Sequence, residues 1–292
     1  MPRTVHVNGE YFPEDQGKVS IFDRGFLFAD GVYEVTAVVG GKLVDYDPHM
    51  ERLARSLGEL RIGWPCSKDE LETMHLEMIR RNGLDEGIIY MQVTRGSADR
   101  DFRFPKDARP TLIAFTQVMK LVDNPNAVTG VKAVTIPDIR WQRRDIKTVM
   151  LLASVLGKQA AFEQGGNEGW MVENGFVTEG TSSNAYIVKD GKVITRPLSN
   201  SILAGCTRRA LLRLAKEHGV EIEERKFTVD EAYAADEAFL TSASQFVMPI
   251  VEIDGRRIGG GQPGPVTRRL RGFYLDEAGK SFRPDRSGSG SA

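Results

Sequence analysis

Lys147 closes a mixed-charge stretch, RRDIK, and stands directly before TVMLLASVLGKQAA. From Thr148 onward the spacing predicts a helix whose apolar face is Val149, Met150, Leu152, Ala153 and Leu156. A positive charge at a helix start opposes the helix dipole, which favours anions there. Lys147 is either a solvent-facing lysine or an amine put to use. As an amine it can condense with an aldehyde and then carry a proton as base and acid. Four more stretches carry reactive types. In SILAGCTRRALLRLA, Gly205 allows a tight backbone, Thr207 is a good N-cap, and Leu211, Leu212 and Leu214 mark the buried side of a helix. Such a helix start gathers free N–H groups and a positive dipole, which suits a phosphate. In VTEGTSSNAYIV, Glu179 lies between a strand end and the hydroxyl run Thr181, Ser182, Ser183. In PHMERL, Arg52 neighbours Met50 and Leu53; in FDRGFLFADGVYEV, Gly25 and Gly31 bracket an aromatic-rich loop leading to Tyr33. Taken singly these are a capped helix, a polar turn, a surface arginine, and a loop that is either packed by its own phenylalanines or functional.

Taken together they suit one chemistry. An aldehyde cofactor needs a lysine amine, its phosphate needs an arginine and a helix start, and a protonated ring nitrogen needs a carboxylate. Lys147, Arg52 with Cys206–Thr207, and Glu179 supply these, and the cofactor they suit is pyridoxal 5′-phosphate.

The elements that must position them alternate between hairpins and helices. Asn8-Gly9, Gly40-Gly41, Asn174-Gly175 and Asp190-Gly191 each separate two strand-like runs. PHMERLARSLGELRI has helical spacing, and Ser67 with Glu70 predicts a capping box for a second helix ending at Asn82-Gly83. GIIYMQVTRG, PTLIAFTQVM and VKAVTIPDI read as strands, and LVDNPNAVTG is rich in turn formers. Hairpins outnumber strand–helix–strand units, so the fold class is α+β.

The bulk numbers fit this. The chain has 292 residues, 41% hydrophobic and 27% charged, enough for one large domain or two ordinary ones. The 39 basic and 40 acidic residues nearly cancel, which argues against nucleic acid as main partner. Cys66 and Cys206 are far apart, and His6, His49, His75 and His218 have no metal-ligand spacing, so neither a disulfide framework nor a metal site is expected. The start, MPRTVHVNGEYFPED, lacks a signal-peptide pattern and no run spans a bilayer, so the expected location is the cytoplasm.

The motifs DRGFLFADGVYEV, HMERL, VTRGSADRDFRFP, DIRWQRRDIKTVMLLASVLGKQAA, VTEGTSSNAYIV, ILAGCTRR and LTSASQFVMPIVEIDG, in this order, resemble the class IV, fold-type IV pyridoxal-phosphate aminotransferases, most of all the D-amino acid branch. The resemblance runs from about Val5 to about Tyr274. It implies a two-domain fold, a smaller α+β part over 1–122 and a larger cofactor-binding part over 131–283; the turn formers mark the linker at 123–130, and the low-complexity polar end predicts a disordered tail at 284–292. It implies Lys147 as the Schiff-base lysine. Arg52, Ser182, Ser183, Cys206, Thr207, Ser242 and Ala243 fall to the cofactor's phosphate and surroundings, and Glu179 to its ring nitrogen. Tyr33, Arg100, Phe102 and Ser244 fall to the substrate.

Two positions depart from the D-amino acid pattern. Ser242-Ala243-Ser244 replaces a Ser-Thr-Thr run, leaving only the Ala243 N–H in the middle. Phe102 stands where that branch has histidine, and phenylalanine cannot donate to a carboxylate. One charge-assisted contact is worth roughly 1.5–3 kcal/mol, about one to two powers of ten in affinity. The implied activity is ping-pong transfer of an amino group from a D-amino acid such as D-alanine to a 2-keto acid. The alternatives are an (R)-selective amine transaminase or mixed specificity, which Phe102 motivates, and after them a branched-chain aminotransferase or an aminodeoxychorismate lyase. The family also implies a homodimer whose sites draw on both subunits.

Overall fold

The structure, a computed structural model, describes residues 2–280. The tail at 284–292, and 281–283 before it, lie outside the described residues. Asn8 and Gly9 both take positive φ (50° and 94°), so β1 (Thr4–Val7) and β2 (Glu10–Pro13) close through the expected two-residue turn. Next comes α1 (Arg24–Phe28), capped by the Asp23 side chain. The sequence reads this stretch as a loop packed by its own phenylalanines or a functional one; it is a helix turn, and Phe22 and Phe26 are exposed. β3 (Gly31–Val39) and β4 (Lys42–Leu43) form the second hairpin. α2 (Tyr46–Leu60) and α3 (Lys68–Asn82) follow, the latter with the Ser67–Glu70 capping box and Gly83 as its left-handed stop. β5 (Gly87–Thr94) and β6 (Thr111–Val118) complete an antiparallel sheet in the order β2-β1-β6-β5-β3-β4.

Alternation along these strands sets what each face meets. Val32 pairs with Val93 and Met91 with Ala114, and all four pack under Leu53, Leu57, Leu71 and Met78 of the two helices. The opposite face carries Tyr33 stacked on Tyr90 (5.5 Å between ring centres) and Tyr90 on Phe115 (4.8 Å).

The turn-rich segment expected as a linker contains a short helix, α4 (Pro125–Thr129). Asn124 caps it, and proline at a first helical position loses no bond. The rest of the chain runs through β7 (Val131–Pro137), α5 (Leu152–Glu163), β8 (Glu168–Glu173), β9 (Phe176–Gly180), β10 (Asn184–Lys189), β11 (Lys192–Thr195), α6 (Cys206–Glu217), β12 (Ile222–Glu224), α7 (Val229–Tyr233), β13 (Glu237–Ser242), β14 (Phe246–Ile253), β15 (Arg256–Arg257) and α8 (Pro265–Lys280). Its sheet has the order β12-β11-β10-β13-β14-β7-β8-β9, with β15 on β14. Three pairings are parallel (β11–β12, β14–β7, β7–β8) and the others antiparallel. Leu211 and Leu214 of α6 and Leu270 and Tyr274 of α8 bury one face against Tyr186, Phe239 and Val247. Trp170, Phe227, Leu240 and Met248 lie in the core on the other.

Four helix expectations are corrected. α5 starts at Leu152, not Thr148, because residues 147–149 spend their backbone groups on β3. Its large apolar residues also point outward: Leu152 is 69% exposed and Leu156 54%. The helix lies on β7 and β8 through small residues, since a Cβ on Gly157 would meet Ile136 Cδ1 at 2.4 Å, and Ala161 is its one buried residue. At α6 the N-cap is Gly205, not Thr207, and Leu212 is only half-buried.

Candidate active site

A cavity of about 330 Å³ opens between the two sheets. Lys147 enters it from an extended segment, not a helix mouth. β5 covers one edge of β3 along its length, but β4 covers the other only at Val38–Val39. The bare edge near Gly31 is a row of unpaired backbone groups that needs partners. Residues 147–149 supply them. Tyr33 N–H donates to Lys147 O (3.1 Å) and Val149 N–H to Gly31 O (3.1 Å). Lys147 N–H reaches Ser56 Oγ at 3.3 Å. The lysine is therefore fixed by its own peptide, with Nζ 4.0 Å from the centre of the Tyr33 ring.

Glu34 points from β3 to the opposite face from Tyr33, toward α2. There it takes Arg52 in a fork, Nε to Oε1 at 2.8 Å and Nη2 to Oε2 at 2.7 Å, while His49 Nδ1 lies 2.7 Å from Oε2. Burial alone would raise the Glu34 carboxyl, but the Arg52 guanidinium and then His49 hold it down at about 2. Burial works against a charged His49 too, yet Cys206 and the Glu34 carboxylate push it up to about 9. Arg52 is thus a half-buried, oriented cation whose remaining Nη1 donates to Ala204 O at 3.0 Å. It is not the surface arginine that PHMERL allows.

Glu179 lies on β9 across the cavity. Arg140 Nη1 donates to it at 2.6 Å, Asn184 Nδ2 at 3.0 Å and Leu203 N–H at 3.1 Å. Burial raises its carboxyl, with Arg140 and the Leu203 N–H pulling the other way. Arg140 is itself held by Asp138 (2.7 Å), which also meets Arg144 at 3.3 Å.

Cys206 and Thr207 begin α6 on the cavity wall, and no side chain caps that helix start among the described residues. Ser182, Ser183, Ser242, Ala243 and Ser244 also line the cavity. Ser183 Oγ is engaged with Glu168 Oε2 at 3.2 Å, whereas Ser242 Oγ is buried without a hydrogen-bond partner among the described residues. An amine, a forked guanidinium, an uncapped helix start, an orphaned hydroxyl and a buried carboxylate around one cavity are the donor set of a phosphorylated aldehyde of a ring base, and pyridoxal phosphate fits it.

Tyr33 lines this cavity, but Arg100 and Phe102 do not. They sit on the loop between β5 and β6, where the Arg100 guanidinium lies 5.4 Å from the rings of both Phe28 and Phe102. Phe102 is 77% exposed.

Sequence reasoning missed Glu34, His49, Arg140 and Asn184. Glu34 sits in a strand-like VYEV, and its signal is a charge at a core-facing register position. Arg140 is one of three arginines within DIRWQRRDIK, and nothing in the string separates it from Arg143 and Arg144.

Comparisons with known proteins give the family and its relatives. Residues 31–253 match the family described as amino-transferase class IV. A D-alanine aminotransferase of Staphylococcus aureus (strain MSSA476) is 39% identical over 270 residues, covering 91% of this chain and 95% of its own. One of Bacillus licheniformis is 39% identical over 281 residues, covering 95% of this chain and 99% of its own. A branched-chain amino acid aminotransferase from T.th., solved with pyridoxamine 5′-phosphate, has a TM-score of 0.88 at 26% identity, covering 97% of this chain and 96% of its own.

Proposed function

The chain belongs to the class IV aminotransferases, and from that premise we propose that it moves an amino group from a D-amino acid, such as D-alanine, to a 2-keto acid with pyridoxal 5′-phosphate as cofactor. The observation that carries this is the meeting of Lys147, Glu179, Arg52 and the α6 start in one cavity. D-Amino acid specificity is supported by the 39% identity to D-alanine aminotransferases, against 26% to the branched-chain structure.

When bound, the cofactor supplies an aldehyde that takes up the amino group and a ring that draws off the electron pair left on the donor carbon. Lys147 Nζ takes the donor's α-proton as general base and returns it as general acid. Glu179 provides the counter-charge for the ring nitrogen. Arg52 and the backbone of Cys206 and Thr207 take the phosphate, with Ser182, Ser183, Ser242 and Ala243 around them. Tyr33 and Ser244 face the substrate. Arg100 and Phe102 lie outside their own cavity, so they serve the substrate of a second copy. A homodimer is also supported by the apolar surface of Phe26, Leu152, Val155 and Leu156, all more than half exposed. We place the domain division at 1–122 and 131–283 about a 123–130 linker. The enzyme acts in the cytoplasm, and no described helix is long and apolar enough to cross a membrane.

A second reading follows from Phe102. Without a donor at that position the pocket accepts amines that lack a carboxylate, and the enzyme has mixed specificity. One experiment separates the two. The cofactor-loaded enzyme is mixed with excess D-alanine, L-leucine or (R)-1-phenylethylamine, and loss of the cofactor's visible absorption is followed. Fast bleaching by D-alanine alone supports the D-amino acid reading. Bleaching mainly by the amine overturns it in favour of the second, and bleaching mainly by L-leucine overturns both.

A further inference from the structure

Asp45 is the N-cap of α2, yet its side chain makes no capping bond. Aspartate is among the best N-caps when its carboxylate accepts from the first turn. Here it sits instead in the left-handed region (φ 53°, ψ 33°), a steric penalty for any residue with a Cβ. Its carboxylate is taken by Tyr274 of α8, whose hydroxyl donates to Asp45 Oδ2 at 2.6 Å.

Tyr274 is 2% exposed and touches more than Asp45. Its ring packs on Phe246, 5.0 Å between centres. Phe246 closes the Ser242–Ser244 turn and has φ 58°. α6 packs into the same core, with Ala210 and Leu211 buried in one cluster with Tyr274. One buried tyrosine therefore meets three pieces: the start of α2 through its hydroxyl, and α6 and the strand after the β13 turn through its ring. Arg52 and Thr207 come from the first two of these pieces, and Ser242 adjoins the third. Asp45 and Arg52 are also seven residues apart on one helix face.

We infer that Tyr274 is a positioning residue for the cofactor's phosphate: it holds the start of α2 against α6, so that Arg52 and the α6 N–H groups converge on one anion. This rests on the phosphate placement proposed above.

The test is made on full-length apoenzyme, titrated with pyridoxal phosphate and separately with pyridoxal, which lacks the phosphate. Tyr274→Phe keeps the ring on Phe246 and removes only the hydroxyl. It is expected to weaken pyridoxal phosphate about tenfold and to leave pyridoxal within about twofold. Asp45→Ala removes the acceptor from the other side and gives the same selective loss should Tyr274→Phe fold poorly. Asp45→Asn keeps an acceptor and restores affinity. Equal weakening of both ligands, or unchanged affinity for pyridoxal phosphate, overturns the inference and leaves the phosphate site standing. A wild-type apoenzyme with no preference for pyridoxal phosphate over pyridoxal overturns the phosphate placement itself, and the inference with it.

Discussion

Replacing Glu34 with glutamine removes one buried charge from between two cations without changing the side chain's shape. In the wild type, Glu34 accepts twice from Arg52 and lies 2.7 Å from His49 Nδ1. Its carboxyl is held at about 2 against an ordinary 4.5, which is worth about 3 kcal/mol at roughly 1.4 kcal/mol per pH unit. Removing one partner of a buried pair costs about 3–5 kcal/mol, so Glu34→Gln should lose about 3 kcal/mol near neutral pH. The sign with pH follows from the direction. A depressed folded pKa stabilises fully above the unfolded value and is lost as pH falls through the folded one. The gap between wild type and variant should stay full down to about 4.5 and shrink steadily toward 2. His49 shares this contact, although Cys206 raises it more than Glu34 does. It is raised from 6.5 to about 9, so its contribution is complete below 6.5 and lost as pH rises through about 9. The two values overlap in the Glu34–His49 contact and do not add. Urea unfolding of the apoenzyme at neutral pH and at about pH 3 measures the gap. A gap under about 1 kcal/mol at neutral pH, or one that does not narrow in acid, refutes the reasoning.

Three further predictions concern the chemistry. Lys147→Ala should still bind pyridoxal phosphate by equilibrium dialysis but lose turnover by about a thousandfold or more; near wild-type rate would remove Lys147 from its role. Glu179→Gln should keep the cofactor and lower kcat by about a hundredfold; an unchanged kcat counts against a carboxylate on the ring nitrogen. Phe102→His should lower KM for D-alanine by about tenfold while KM for (R)-1-phenylethylamine does not fall; equal effects on both donors would deny Phe102 a part in choosing between them.

The hairpins and α3 were legible because their signals are local. Asn8-Gly9, Asn174-Gly175 and Asp190-Gly191 require positive φ and nearly dictate the turn, and Ser67 and Glu70 cap each other within four residues. The helix after Lys147 was misread because apolar spacing reports a face without saying what covers it. On α5 the small residues Gly157 and Ala161 meet the sheet while Leu152 and Leu156 face out. The start of that helix was misplaced because a long-range contact, the bare edge of β3, claims Val149 N–H. Lys147, Arg52 and the α6 start were legible as types needing a common ligand. Glu34, His49 and Arg140 were not, because each acts by orienting another charge, and which charge it meets depends on packing between distant segments.

That packing also ties stability to cofactor binding. Lys147 belongs by sequence to the second sheet's half, yet its carbonyl accepts from Tyr33 of the first. Arg52 belongs to the first half and donates to Ala204 O of the second. Arg55 reaches Asp145 O at 2.8 Å, and Tyr274 reaches back to Asp45. Each such bond is worth about 1 kcal/mol alone, too little to fix the seam. Acting together they leave the halves few relative positions in which all are satisfied, and the cavity lies between them in one of those positions. A ligand that touches both halves stabilises that arrangement by binding only the folded form. Substitutions along the seam must therefore appear twice, as lower stability of the apoenzyme and as weaker binding of a ligand that bridges it. A surface ion pair across the same seam, Arg209 with Glu51, is open to solvent and should appear in neither.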